Sequence, residues 1–327
     1  MRVAILGVGA VGGWLAGALA STGQPVSLVA RGATLAALRA RGLRVSRDGN
    51  EQGYALNAGS AQELGPHDLL IIATKGQDVS GALDDIAALL HPGTAVMSAL
   101  NGLPWWFTQD FPGPIGNLVL ESVDPGGRVA ALLPAERSVG CVVHASVART
   151  APGCIRVGKV DKLIIGEAAG HNSQRVEWLR SAFANSGIDV VTTDCIRREI
   201  WSKLWGNITM NPLSALTQAG TARMLDDADM RGLCLRMMEE MAAVGTKIGL
   251  PIPMTADDRI AITRKLGDFR TSMLQDLAGG VALEYQPQLG AVVEIAGRLG
   301  MPTPFCAAVL GLVRQLSMSI GMQVNPR

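Results

Sequence analysis

Residues 1–31 admit few folds. An apolar run, Val3-Ala4-Ile5-Leu6, passes directly into Gly7-Val8-Gly9-Ala10-Val11-Gly12 and then into an Ala-rich stretch free of proline as far as Thr22-Gly23. The order reads as strand, glycine turn, helix and, with Val26-Ser27-Leu28-Val29-Ala30, a second strand. In that context G-x-G-x-x-G is the spacing of a dinucleotide-binding turn. Gly7 turns the chain out of the strand, Gly9 lets the backbone approach a pyrophosphate, and Gly12 lets the helix close on the sheet. The phosphate is expected at the helix N-terminus, where unpaired N–H groups and the macrodipole favour an anion. Met1-Arg2 followed by an uncharged stretch through Ala30 also fits a secretory signal peptide or a membrane span. Neither of those needs the glycine spacing.

The second strand ends at Arg31, where a site preferring NAD usually carries Asp or Glu for the ribose 2′-hydroxyl. A cation there suits a 2′-phosphate, so NADPH is expected over NADH; the alternative is a solvated loop arginine. Asp68-Leu69-Leu70-Ile71-Ile72-Ala73 reads as a strand buried on both faces of a parallel sheet, and it delivers Thr74-Lys75-Gly76 to the carboxyl edge where ligands bind. Lys75 is therefore a candidate contact to cofactor or substrate, or else an exposed loop lysine. Residues 95–100 deliver Asn101-Gly102 to the same edge. Asn101 can donate and accept at once, which suits a nicotinamide or an oxo group, or it forms a plain Asn-Gly turn. Trp105-Trp106-Phe107 reads as a hydrophobic plug or a pocket wall.

With 327 residues, 48% of them hydrophobic, the chain can build two domains with their own cores. Its charges nearly cancel, at a formal +1, so no global field favours nucleic acid or an anionic membrane. Cys141, Cys154, Cys195, Cys234 and Cys306 lack C-x-x-C spacing and read as small buried hydrophobes of a reducing cytoplasm. His67, His91, His144 and His171 are not paired at ligand spacing, so no metal is expected. Helices over 33–41, 79–90 and 173–186 are expected to alternate with strands within 42–53, with short strands between 115 and 166, including 139–147 and 155–166, and with a strand over 189–192. Together they make an α/β domain of the Rossmann type over residues 1–194. From Cys195 helical periodicity takes over, which gives an all-α domain over 195–327.

That second domain opens on a helix in which Lys203, Asn207 and Asn211 are spaced by four, within an arc of about 80° on ideal geometry. They are flanked by Trp201, Leu204, Trp205, Ile208 and Leu213. An exposed face would carry Glu, Lys and Arg, and a core face would be apolar. A stripe lining a cleft explains one cation with two amides, and a polar stripe satisfied by contacts between the two domains is the alternative. Glu284 stands just ahead of a helix expected to begin near Pro287, where it would complement the dipole. Helices over 229–248, 291–299 and 305–320 read as packing elements.

The assembled motifs resemble the ketopantoate reductase family, the 2-dehydropantoate 2-reductases that reduce a branched 2-oxo acid with NADPH. The residues that carry the resemblance are the glycine turn, Ala30-Arg31-Gly32, Thr74-Lys75, Asn101-Gly102-Leu103, Trp201 through Asn207, Asn211-Pro212-Leu213, and Thr271-Ser272-Met273-Leu274-Gln275-Asp276. The resemblance implies that Lys203 is the catalytic lysine and proton donor, with Glu284 the acid beside the substrate. It makes Asn207 and Asn211 substrate-binding amides, Ser272 the serine that holds the carboxylate, and Lys75 and Asn101 the polar residues on the cofactor and substrate sides. It further implies a cytoplasmic enzyme of pantothenate biosynthesis with a small 2-oxo acid substrate, and a homodimer built through the helical domain. After its acid the family commonly continues with Ile-Asp and then Asn-Gly; this chain has Tyr285, Gln286, Pro287 and then Leu289-Gly290. Two other expectations fit the same scaffold: a reductase of a different 2-oxo acid, and a catalytically silent NADP-binding sensor. The sensor would need the nucleotide turn but not the Lys203 stripe.

Overall fold

The computed structural model describes residues 1–171 and 173–321. The chain divides into two compact units, Met1–Leu100 with Arg128–Glu199, and Asn101–Gly127 with the chain from Ile200 onward. The division falls inside a helix, a few residues beyond the expected boundary at 194, and the segment 101–127 belongs with the helical unit rather than with the sheet. Hydrogen bonds hold that segment there. Leu103 N–H donates to the Pro287 carbonyl at 2.7 Å. The Glu294 carboxylate accepts from the backbone N–H groups of Glu121 and Ser122, each at 2.9 Å, and from Ser122 Oγ at 2.6 Å.

Among the described residues the first unit is built on one sheet of ten strands: Val3–Leu6 (β1), Val26–Val29 (β2), Leu43–Arg47 (β3), Asn50–Tyr54 (β4), Asn57–Gly59 (β5), Leu69–Ile72 (β6), Ala95–Ser98 (β7), Ser138–Ala151 (β8), Cys154–Glu167 (β9) and Asp189–Thr192 (β10). The order is β4-β3-β9-β8-β7-β6-β1-β2-β5, with β10 also paired to β9. From β5 through β2, β1, β6 and β7 to β8 every pairing is parallel. Parallel strands are covered on both faces, which is why β1, β6 and β7 are wholly buried and, Ser98 apart, apolar throughout. The strands expected over 139–147 and 155–166 are present and run longer, as the two arms of one antiparallel hairpin, β8 and β9, while among the described residues none falls within 115–137. Residues 104–137 form turns and short helical pieces, because Pro104, Pro112, Pro114, Pro125 and Pro134 cannot donate to a ladder. Of the helix expected over 79–90, Ser80–Ala82 is a 3-10 turn and Leu83–Ala88 is α-helical.

Helix Ala10–Ser21 packs on this sheet through glycines that the motif does not include. A Cβ added to Gly13 would meet Ile155 Cγ1 at 2.6 Å, and one added to Gly17 would meet Val45 Cγ2 at 2.8 Å. Two glycines one turn apart therefore let the helix lie close on β9 and β3. Ile5, Leu15, Leu19, Leu28, Leu69, Ile71 and Met97 form the centre of the core. Residues 1–31 are thus strand, helix and strand of one α/β unit, and among the described residues no helix is long and apolar enough to cross a membrane.

The second unit contains most of helix Ile196–Thr217 and the helices Thr221–Asp226, Ala228–Lys247, Ala256–Lys265, Ser272–Ala278, Ala291–Arg298 and Pro304–Ser319, with a π-helical turn at Gln286–Gly290. Helices cap one another across sequence distance. The Glu240 carboxylate accepts from Phe305 N–H at 2.9 Å and Cys306 N–H at 2.8 Å, closing the N-terminus of the last helix with a negative charge. Phe107 stacks on Trp201 with centroids 6.2 Å apart. Trp105, Trp106 and Phe107 are all buried, so this stretch is a hydrophobic plug of the helical unit.

Candidate active site

The glycine turn of the first unit separates two kinds of glycine. Gly7 has φ +97°, and its Cβ would lie 2.8 Å from the Ala73 carbonyl carbon and the Thr74 nitrogen; a Cβ on Gly12 would lie 2.0 Å from the Gly7 carbonyl oxygen. Both are required by the protein itself. Gly9 is different. Its φ of −86° is open to any residue, and a Cβ there would meet nothing within 4 Å. Gly9 is also the N-cap of helix Ala10–Ser21, which has no side-chain cap and no acidic residue in its first turn. The first-turn N–H groups have no acceptor within the helix. An anion brought against bare backbone accounts for a glycine that nothing in the protein demands, and a pyrophosphate fits that cradle.

Two cations share the carboxyl edge of this sheet. Arg31 is exposed, follows β2 and is the N-cap of helix Gly32–Arg41. Lys75 follows β6 and opens the 3-10 turn Gly76–Asp78. Partial desolvation raises the Asp78 carboxyl, against the lowering influence of Lys75 and Arg31, so the three charges sense one another. Between Lys75 and Asp78 stands Gln77, whose Oε1 and Nε2 are both buried with no hydrogen-bond partner. An orphaned buried amide at the ligand edge of a parallel sheet is what a polar ligand would satisfy. Nothing in the sequence around Gln77 marks it, because a single amide in a turn has no periodicity.

In the second unit, helix Ile196–Thr217 is buried almost all round from Leu204 to Ala215, including Trp205, Gly206 and Ile208. Lys203 and Asn207 are half-buried and stand out from that apolar surround. Lys203 Nζ donates to Asn101 Oδ1 at 2.9 Å. Asn101 is held by its neighbours. Gly102 has φ +84°, its Cβ would meet the Pro287 carbonyl oxygen at 2.4 Å, and that same oxygen accepts the Leu103 N–H. The Asn-Gly turn is thus a docked element, and the residues after Glu284 that depart from the family pattern include its dock.

Asn211, the third member of the stripe, is buried, and its Nδ2 donates to Gln288 Oε1 at 2.9 Å. Gln288 belongs to the π-helical turn, a form of helix often found at functional sites. Sequence reading passes over Gln288, since an amide in an apolar turn resembles ordinary packing until its partner is known. Glu284 is buried between Leu283 and Tyr285, two residues ahead of this turn. Ser272 is exposed and is the first residue of helix Ser272–Ala278. Its N-cap Thr271 accepts from Leu274 N–H at 3.2 Å and makes a short hydrogen bond with Ser214, three residues beyond Asn211. Ser272 is thereby tethered to the helix that carries Lys203. Among the described residues no group of three or more His, Cys, Asp or Glu could hold a metal. Cys141, Cys234 and Cys306 are buried and Cys154 and Cys195 half-buried, all as free thiols.

Residues 3–105 match the family model described as ketopantoate reductase PanE/ApbA, and residues 195–317 match the model of its C-terminal part. The 2-dehydropantoate 2-reductase of Mesorhizobium japonicum is 40% identical over 323 residues, covering 98% of this chain and 99% of that protein. Among solved structures, a proposed ketopantoate reductase of Ralstonia solanacearum MolK2 aligns with a TM-score of 0.94 at 43% identity over 98% of both chains. A D-mandelate dehydrogenase solved with NADH and anilino(oxo)acetate shares the fold, with a TM-score of 0.84 at 22% identity over 98% of this chain and 100% of that one. Agreement of this extent, from end to end of a relative 40% identical and with a family model on each part of the chain, means that the chain belongs to the ketopantoate reductase family.

Proposed function

We propose that this oxidoreductase reduces 2-dehydropantoate to pantoate with NADPH, in a reducing cytoplasm. The observation that carries the reading is the 2.9 Å hydrogen bond that holds the Lys203 ammonium on Asn101. NADPH supplies the hydride when bound. Negative charge then develops on the ketone oxygen, where a positioned cation stabilises it and a general acid must deliver a proton. An ammonium, with a reference pKa of about 10.4, is such an acid already charged at neutral pH. Asn101 fixes the direction from which Lys203 Nζ approaches that oxygen. Glu284 is assigned the nascent hydroxyl, and Asn207 and Ser272 the orientation of the acid. Asn211 contributes through the Gln288 turn. In the first unit, the glycine turn with Lys75 and Gln77 is assigned to the dinucleotide. Arg31, in place of an acidic residue, favours NADPH over NADH.

The test is NADPH oxidation, followed by absorbance, against ketopantoate and a panel of other 2-oxo acids. Ketopantoate kcat/KM well above the rest is expected, and silence across the panel overturns the reading. A second reading, reduction of a different 2-oxo acid, is favoured by Tyr285, Gln286, Pro287 and Leu289, which stand where the family commonly has Ile-Asp and Asn-Gly. Activity confined to another acid of the panel would select it.

A further inference from the structure

The guanidinium of Arg259 is seated on the helix that carries Lys203. A Cβ added to Gly206 would meet Arg259 Nη2 at 2.5 Å and its Cζ and Nε at 3.1 Å each, so glycine at 206 is what admits the group. Gly206 is three residues after Lys203 and one before Asn207. Helix positions three apart are surface neighbours, with Cβ atoms about 5–6 Å apart. The Cβ direction at 206 leans toward the helix N-terminus, back toward Lys203. The cation therefore lies beside the root of the lysine.

Arg259 has no counter-ion among the described residues. Its hydrogen bond runs from Nη1 to Thr263 Oγ1, one turn along its own helix, at 3.1 Å. Nearby Asp258 is engaged by Thr255. Burial lowers the Arg259 pKa with no acidic group acting in the other direction. A guanidinium does not give up its proton in a protein, so it stays charged, and a half-buried charge is costly unless an anion pairs with it.

We propose that Arg259 is a substrate-binding residue that pairs with the carboxylate of the 2-oxo acid whose ketone oxygen meets Lys203. This rests on the function proposed above. In a 2-oxo acid the carboxylate and the ketone are on adjacent carbons, so a lysine directed at one calls for a cation beside it directed at the other. The guanidinium fork matches both carboxylate oxygens, which an amide or a hydroxyl cannot do alone. Gly206 and Arg259 form one device: the first opens the seat and the second fills it.

Three variants test it, each with thermal unfolding as the control for folding: Arg259→Gln, Arg259→Lys and Gly206→Ala. The last keeps the charge and drives the guanidinium off the helix. For Arg259→Gln the KM for ketopantoate should rise roughly 10- to 100-fold, the value of a charge-assisted hydrogen bond, with the NADPH Kd unchanged. Its preference for ketopantoate over the neutral lactone, which lacks the free carboxylate, should collapse. Gly206→Ala should shift KM in the same direction, and Arg259→Lys by less. An unchanged KM with unchanged acid-over-lactone preference overturns the proposal. Calorimetric binding of oxamate, an unreactive carboxylate, in the presence of NADP+ reads the same contact without turnover. Binding by the wild type that weakens tenfold or more in Arg259→Gln supports it, and equal binding or none by the wild type overturns it. Oxamate binding through Arg259 without turnover of any 2-oxo acid would remove the proposed function and leave the anion site standing.

Discussion

Lys203 Nζ and Asn101 Oδ1 are 2.9 Å apart although their residues are separated by 102 positions. The turn that carries Asn101 is docked: Gly102, with its positive φ, lies so close to the Pro287 carbonyl that a Cβ would meet it at 2.4 Å, and the same carbonyl accepts the Leu103 N–H. Replacing Lys203 with Ala should lower kcat by roughly 10² to 10⁴, the usual worth of a general acid, with NADPH binding intact. Asn101→Ala should lower kcat by less and leave the thermal midpoint nearly unchanged. Steady-state kinetics with fluorescence titration of NADPH checks both, and undiminished turnover in Lys203→Ala removes the assigned role.

Gly9 and Gly12 are expected to fail in different ways. Alanine at 12 puts a Cβ 2.0 Å from the Gly7 oxygen, an overpacking that should cost about 1–3 kcal/mol or more in denaturant unfolding. Alanine at 9 meets nothing in the protein, so its unfolding midpoint should stay close to wild type while NADPH affinity drops. Equal stability and affinity in both variants would contradict a phosphate at the helix N-terminus.

Arg31 is exposed, so its removal should not disturb the fold. Arg31→Ala should raise the NADPH Kd roughly tenfold or more and leave the NADH Kd within about twofold. Equal losses for both dinucleotides would place the 2′-phosphate elsewhere.

The Asn211–Gln288 bond is buried at both ends. Gln288→Ala strands the Asn211 amide and should cost about 1–3 kcal/mol. In a double-mutant cycle with Asn211→Ala the two losses should be far from additive; additivity would mean the pair is not coupled.

Burial pushes the Cys234 thiol up to about 12 and also raises that of Cys306, beside Glu240. Above the ordinary thiol range the unfolded chain gives up these protons while the folded chain keeps them. Stability is therefore full below about pH 8.5 and falls as pH rises toward 12. Denaturant midpoints at pH 8 and pH 10 should differ, and Cys234→Ala should shrink the difference. In the native protein iodoacetamide should label Cys154 and Cys195 well before the buried thiols.

Elements built from neighbouring residues were legible without coordinates. The strand, turn and helix of residues 3–21 follow from apolar runs and glycine spacing, and the Lys203 and Asn207 positions follow from helical periodicity. Both signals are local. What the sequence could not show is which distant segments meet. Residues 101–127 carry no mark of their attachment to Pro287 and Glu294, the bond from Ser122 to Glu294 spans 172 positions, and Gly13 and Gly17 look like any helical glycines until β9 and β3 lie against them. Asn211 reads as one more open amide, and only the fold turns it inward to Gln288. Arg259 carries no mark in the sequence, and only the fold lays it on Gly206. Local geometry determines which face a residue shares with its neighbours. Which face is buried, and against what, is decided by packing between segments far apart in the chain, where shape and unmet hydrogen bonds select the partner.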